Sequence, residues 1–391
     1  MYYQRTIFKD LVKHLENKQI TVLTGMRRTG KTTLLKKLLT EIKSNNKIYI
    51  DLERLDNREL FSERNYDNII LAIKQKGIKP DEKMYILLDE IQLLPNLSSV
   101  IKYLYDTYQI KFIVTGSSSY YLKNMFTESL AGRKKVFELR TLSFKEFLNF
   151  KGIKINKSVF PFTKFSQYEY EQLNPYYTEF IEFGSFPEAA LTDSKEDKID
   201  LLNDIINSYI YIDLKSLTDI RNIENVKKLL KLLSSRIGSK LIISKIASLT
   251  QISRETIKNY LQFLEDTFFI KRVNVFSTNP DREITKTQKF YFTDNGLAAV
   301  LVSNNSGKQF ENSLYNQLSN YGVPQYYARK DGKEIDFLLN GFAFEVKESP
   351  DIYDLKNLKR ISEKIPINNF ALIGRYSMEN FANYIWGGSI N

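Results

Sequence analysis

Residues 21–35 read TVLTGMRRTGKTTLL. Gly25, Gly30, Lys31 and Thr32 fit the phosphate-loop pattern G-x-x-x-x-G-K-[ST]. Apolar, β-branched residues lead in and a helix-compatible run, 33–39, leads out. Strand, loop and helix in that order wrap backbone N–H groups and a helix N-terminus around phosphates. Lys31 is then expected to reach the β and γ oxygens, and the Thr32 hydroxyl to join a Mg²⁺ shell, so ATP and Mg²⁺ are the expected cofactors. Gly25, Arg27, Arg28, Thr29, Gly30, Lys31, Thr32 and Thr33 together form the expected nucleotide cradle. Arg27 and Arg28 add positive charge there, or face solvent or a neighbouring subunit.

Outside that stretch, 391 residues are too many for one core and predict two or three domains. The chain has no cysteine, which excludes thiol chemistry, disulfides and cysteine-held zinc. Its one histidine, His14, falls in an amphipathic segment, 3–16, and is expected at the surface rather than in catalysis. A net charge of +11 suits nucleic acid or another acidic partner without choosing between them. With no leader-like start and no apolar run long enough to span a bilayer, the expectation is a cytoplasmic protein without membrane contact.

Strands are expected at 20–24 and 47–51, and a helix at 61–76. Residues 84–90, MYILLDE, read as a buried parallel strand with two acids at its C-terminal end, where open parallel sheets place their ligands. Asp89 is the candidate for the Mg²⁺ side. Glu90, one residue on, is the candidate base that polarises the attacking water. The next strand, 111–115, ends in hydroxyls. Thr115 and Ser117 are expected to hold the water or sense the γ-phosphate, unless they simply cap a helix. Arg133, in LAGR before a strand at 135–139, either reaches a neighbouring subunit's nucleotide as an arginine finger or forms a salt bridge within its own chain.

GMRRTGKTT, ILLDEIQ, FIVTGSSS and SLAGRKKVFELRTLSFKEF, in that order, resemble a family of AAA-type ATPases of archaea and bacteria that carry additional C-terminal domains. The resemblance implies a P-loop NTPase (AAA+/ASCE) α/β fold with sheet order 5-1-4-3-2, and subunits assembled as a homo-oligomer, conceivably a hexameric ring. Gln92 falls on the family pattern. So do the turn at 184–189, GSFPEA, and a helical segment ending in Asp213 and Leu214, which together correspond to a small helical lid. Arg221 is a guess for a second sensor.

The expected partition is an ATPase core at 1–150, a lid and linker at 151–224, a winged helix-turn-helix at 225–290 and a nuclease-like domain at 291–391. Helices at 226–233, 244–249 and 254–266, the last capped by Ser253, followed by a strand at 268–276, make three helices and a β wing. Arg254, Lys258 and Asn259 would meet DNA from the third helix and Arg272 would contact phosphate from the wing. Glu255 and Glu265 dilute that face, and the same module can serve only for packing against a partner. Further on, EIDFLL and FAFEVK are strands between tight turns. Asp336, Glu345 and Lys347 form an acid…acid-x-Lys constellation, and Glu311 adds a helical carboxylate. This resembles the PD-(D/E)-x-K core of a restriction-endonuclease-like α/β fold, with Ile335 where the fuller motif has proline. Asp336, Glu345 and Glu311 would hold Mg²⁺ and Lys347 would orient water. The same site can bind nucleic acid without cutting it. The functional expectation is an ATPase acting on branched or single-stranded DNA. The alternatives are a nucleotide-dependent switch with a protein partner, or an ATP-gated nuclease.

Overall fold

The computed structural model describes residues 2–116, 130, 132–155, 160, 165–214, 222–277, 279, 283, 286–302, 306–329, 331–367, 369–379 and 381–390; of 213 and 214 only the backbone is described. Ser117 and Arg221 therefore lie outside the described residues. The chain divides into two compact units, Met1–Arg140 with Asp266–Phe268, and Thr141–Glu265 with Phe269–Asn391.

The first unit is built on a parallel sheet of β1 (Ile20–Thr24), β2 (Lys47–Asp51), β3 (Met84–Asp89), β4 (Ile110–Gly116) and β5 (Lys134–Glu138), in the order β2-β3-β4-β1-β5. That is the expected 5-1-4-3-2 order. β1, β3 and β4 are buried along their whole length. This is what their continuous apolar runs require when helices cover both faces of a parallel sheet. One core holds Val22, Ile86, Leu88, Phe112 and Ile101, and the other holds Leu23, Leu34, Leu38, Leu87 and Ile113.

Two local expectations are corrected. The helix expected at 61–76 is the shorter Tyr66–Gln75, and Phe61 instead ends a separate helix, Leu55–Phe61. Asn65 starts the helix at Tyr66, because its side chain accepts a hydrogen bond from the Asp67 N–H. His14 is not a surface residue: it is 2 % exposed. It closes the short helix Phe8–His14, on the stripe of Phe8 and Leu11, and its Nδ1 lies 2.7 Å from the Thr21 hydroxyl. Burial, and then the nearby Lys111 ammonium, hold its pKa below the usual histidine value.

In the second unit, helices Phe144–Phe150 and Gln167–Phe183 lead to Gly184, whose φ is +73°. Pro187 occupies the first turn of helix Pro187–Leu191, so the expected turn at 184–189 is present. Helix Lys195–Ser208 runs on as a π-helical turn, Tyr209–Leu214. Three helices follow, Ile223–Ser234, Ile243–Thr250 and Arg254–Asp266, and then an antiparallel pair, β6 (Ile270–Val273) and β7 (Lys289–Phe292). Ser253 caps the third helix, its Oγ accepting from the Thr256 N–H. A second five-stranded sheet is formed by β8 (Gln325–Ala328), β9 (Glu334–Leu339), β10 (Phe342–Lys347), β11 (Asn369–Gly374) and β12 (Ile385–Trp386), in the order β12-β11-β10-β9-β8. β8, β9 and β10 form an antiparallel meander, after which β11 and β12 run parallel to β10. Asn340 and Gly341, at φ +48° and +79°, make the tight β9–β10 turn that this dipeptide favours. Trp386, 1 % exposed, anchors the end of this sheet against Tyr177 and Phe165.

Candidate nucleotide site

The phosphate loop lies where β1 ends. Gly25, at φ +147°, takes a backbone conformation that L side chains rarely adopt, and Gly30, at φ +95°, turns the chain into helix Lys31–Glu41. Gly30, having no side chain, offers that helix no side-chain cap. Lys31 is 4 % exposed, and its ammonium donates to the Gly25 and Met26 carbonyls at 3.0 Å each. Thr29 is buried and donates from its hydroxyl to the Met26 carbonyl at 2.8 Å. Arg27 and Thr32 are half-buried, while Arg28 and Thr33 are exposed. One residue missed in the sequence holds the loop from behind. Arg5 donates to the Thr29 carbonyl at 2.9 Å and to the Arg140 carbonyl at 2.6 Å. Only tertiary contact joins these positions, and no local pattern marks them.

The acid pair stands at the end of the central strand β3. Asp89 is 2 % exposed and accepts from the Tyr49 hydroxyl at 2.9 Å and from the Thr115 hydroxyl. Tyr49 was also missed. Burial, and then the Asp89 charge, push its phenol far above the usual range, so it remains a donor. Thr115 in turn accepts from the Glu90 N–H at 3.1 Å. This hydroxyl therefore joins the two acids, which goes beyond the capping role open to it in the sequence. Glu90 is left-handed at φ +57°, which turns its side chain off the strand, and the Gln92 amide donates to its carboxylate. Asp89 and Thr32 carry oxygen donors of the kind Mg²⁺ takes alongside several waters.

Arg133 is not brought to this site within the chain. Its carbonyl accepts from the Ile20 N–H, at the opposite end of β1 from the loop, roughly 13 Å away along the strand. Its guanidinium grips both oxygens of Asp106, at 3.1 and 3.3 Å. Of the two alternatives read from the sequence, the salt bridge is thus formed. It is half-exposed and contributes little to stability.

In the second unit Asp336 Oδ2 accepts from the Val346 N–H at 2.9 Å, and Lys347 pairs with Glu345 at 2.8 Å. Burial, and then the Asp336 charge, push the Glu345 and Glu311 carboxyls up. Glu311 accepts from the Tyr291 hydroxyl at 2.6 Å. Among the described residues no three acidic or imidazole side chains come together as a metal-holding group. The expected three-carboxylate set of Glu311, Asp336 and Glu345 is therefore not gathered. Lys289 is 5 % exposed and pairs with Glu334 at 3.1 Å. Burial pulls its pKa down, and the charges of Asp336, Glu311 and Glu334 more than reverse this.

Arg254, Lys258 and Asn259 are exposed on their helix, as expected. Arg272 is not offered to a phosphate. Its Nε donates to Glu265 at 2.6 Å and its Nη2 to Gln262 at 2.6 Å. Glu265, the next-to-last residue of the helix, faces β6, and so it neutralises this arginine.

Asp294 ties the second unit together. It accepts from the Ser185 N–H at 2.7 Å and from the Gly296 N–H at 2.8 Å. A Cβ on Gly184 would lie 2.0 Å from its Oδ1. Burial raises its pKa from 3.8 to about 6 against those hydrogen bonds. The folded state thus holds this proton more tightly than the unfolded chain does. Its contribution is most favourable below pH 4 and is lost as pH rises to about 6. Relative to wild type, Asp294→Asn should gain about 3 kcal/mol of stability between pH 4 and pH 7, measured by urea unfolding.

Residues 17–148 match the model of a family described as an AAA domain, and residues 174–308 match a domain of unknown function (DUF8612). The chain is 31 % identical over 401 residues to the uncharacterized protein MJ1544 of Methanocaldococcus jannaschii, covering 96 % of this chain and 86 % of that protein. It is 23 % identical over 397 residues to an uncharacterized protein of Haemophilus influenzae, covering 96 % of this chain and 94 % of the relative. Among solved structures, the Walker-type ATPase PABY2304 of Pyrococcus abyssi is similar at 18 % identity and a TM-score of 0.49, over 77 % of this chain and 96 % of that one. Among the described residues no helix is long and apolar enough to cross a membrane. A parallel P-loop sheet of the AAA type, followed by a helical lid, is therefore the frame of the nucleotide site. The chain belongs to the family of the M. jannaschii protein MJ1544.

Proposed function

We propose that this protein binds and hydrolyses ATP with Mg²⁺ and couples that cycle to action on DNA. The observation that carries the reading is the hydrogen-bonded line Tyr49–Asp89–Thr115–Glu90 at the same sheet edge as the phosphate loop. The loop N–H groups and Lys31 bind the phosphates. Thr32 and Asp89 would hold Mg²⁺, which supplies charge neutralisation on the phosphate oxygens. Glu90 takes the proton from the attacking water, and Thr115 keeps the two acids in register. In a homo-oligomer Arg133 would have to leave Asp106 before it could reach a neighbouring subunit's nucleotide.

Residues 225–290 are read as a winged helix and 291–391 as a nuclease-like domain. The three helices with the β6–β7 pair, and the β8–β10 meander with Asp336 and Glu345 facing across it, support these readings. The net positive charge and the exposed Arg254 and Lys258 favour DNA as the partner. The commitment of Arg272 to Glu265 favours a second reading, in which the same module packs against a protein partner. The test is ATP hydrolysis with and without single-stranded, duplex and forked DNA. We expect stimulation by one DNA form, retained in Lys347→Ala. Basal hydrolysis that responds to no DNA would overturn the DNA reading in favour of the protein-partner switch.

A further inference from the structure

A cavity of about 390 Å³ opens in the second unit beside the Gly238 turn. Arg236, Lys240, Lys245 and Lys289 line it against a single carboxylate, Glu334. Glu334 is already shared by Lys240 and Lys289. Arg236 and Lys245 have no ion-pair partner among the described residues, so two cations point into a concave site whose one acid is already neutralised. The floor is apolar, with buried Leu233, Ile246 and Phe290, and exposed Ile242 stands at the rim. Cations above an apolar floor fit a ligand with a phosphate at one end and a ring or sugar at the other.

The position of the cavity narrows the ligand further. Gly238, at φ +75°, forms part of the wall, and a Cβ there would lie 2.7 Å from Glu311 Oε1. Glu311 thus lies behind the Gly238 wall, and Lys289, on the lining of the cavity, feels the charges of Asp336 and Glu311. A strand with successive phosphates can meet Arg236 and Lys245 together, while the Glu311 and Asp336 charges repel a phosphate that strays towards them. Duplex DNA keeps its bases stacked away from such a site, but a single strand can lay an unstacked base over exposed Ile242 at the rim.

We infer that this cavity binds the sugar–phosphate backbone of a single DNA strand, with Arg236 and Lys245 as the phosphate contacts. The inference rests on the proposed action on DNA and deepens it. The test uses the full chain and a short fluorescent single-stranded oligonucleotide, followed by anisotropy across a salt series. The Arg236→Gln/Lys245→Gln protein should bind about 10-fold more weakly, and its log–log salt slope should be shallower by about 1.4, the value for two lost phosphate contacts. The charge-matched control, Lys9→Gln/Lys13→Gln on the helix Phe8–His14, should match wild type, and unchanged melting temperatures would exclude misfolding as the cause.

If wild type binds the strand and the cavity variant binds it equally well, the cavity proposal is overturned while the DNA reading stands. A wild-type protein that binds no strand overturns both. Inorganic phosphate that displaces the strand, at matched ionic strength and an equal concentration of phosphate groups, would make this an isolated-anion site and also overturn the proposal.

Discussion

Glu90→Gln should bind ATP as tightly as wild type and hydrolyse it about 10²–10⁴-fold more slowly. The amide keeps the size and the hydrogen-bonding reach of the carboxylate but cannot accept a proton. The supports of this side chain do not depend on its charge. Its backbone N–H is fixed on Thr115, and its left-handed backbone is set by the turn after β3. The phosphate loop and Lys31, which carry binding, are untouched. Steady-state phosphate release, paired with binding of a fluorescent ATP analogue, separates the two effects. Hydrolysis within a factor of three of wild type would remove Glu90 as the base. Loss of binding would instead show that Glu90 holds the site together.

The second large effect is structural. A methyl group on Gly25 would lie 2.2 Å from the Leu139 carbonyl oxygen and 3.1 Å from its carbon. Both atoms are backbone, and Leu139 is itself tied to β1, its N–H donating to the Thr24 carbonyl at 2.7 Å. Neither side can yield as a flexible side chain would, and the φ of +147° is unfavourable for alanine in any case. Gly25→Ala is expected to destabilise the first unit by about 3 kcal/mol or more and to abolish ATP binding. Gly30→Ala is the internal comparison. Its positive φ carries strain, but no atom lies within 4 Å of its added methyl, so its cost should be about 1 kcal/mol. Thermal unfolding of the two variants reads the difference, and equal losses would show that contact with Leu139 is not what fixes the first glycine of the loop.

These two positions also mark how far the sequence could be read. The phosphate loop and the acid pair were legible because each needs fixed residue types at fixed spacing next to a buried strand. Resemblance to related ATPases extended that to the strand order, which the structure bears out. His14 was misread because the i, i+3 step from Leu11 is weak evidence inside a helix of only seven residues. Tyr49 and Arg5 were invisible because what matters about them is a partner far along the chain. Arg133 was legible as a loop arginine, but its distance from the phosphate loop follows from the pairing of β5 with β1, which sequence does not state. Arg272 and Glu265 were each noticed, and only folding showed that they neutralise one another.

The grip of Arg5 bears on how the two ends of the nucleotide domain can move. One planar group holds the carbonyl of Thr29, inside the phosphate loop, and the carbonyl of Arg140, the last residue of the first unit before the chain crosses into the second. A guanidinium can pivot, but it cannot lengthen. Any shift of the loop backbone larger than the play in these two hydrogen bonds must therefore pull the exit strand with it or release one of the bonds. The N-terminal arm thus works as a tie-rod, fixing the distance between the glycine loop and the place where the rest of the chain is attached.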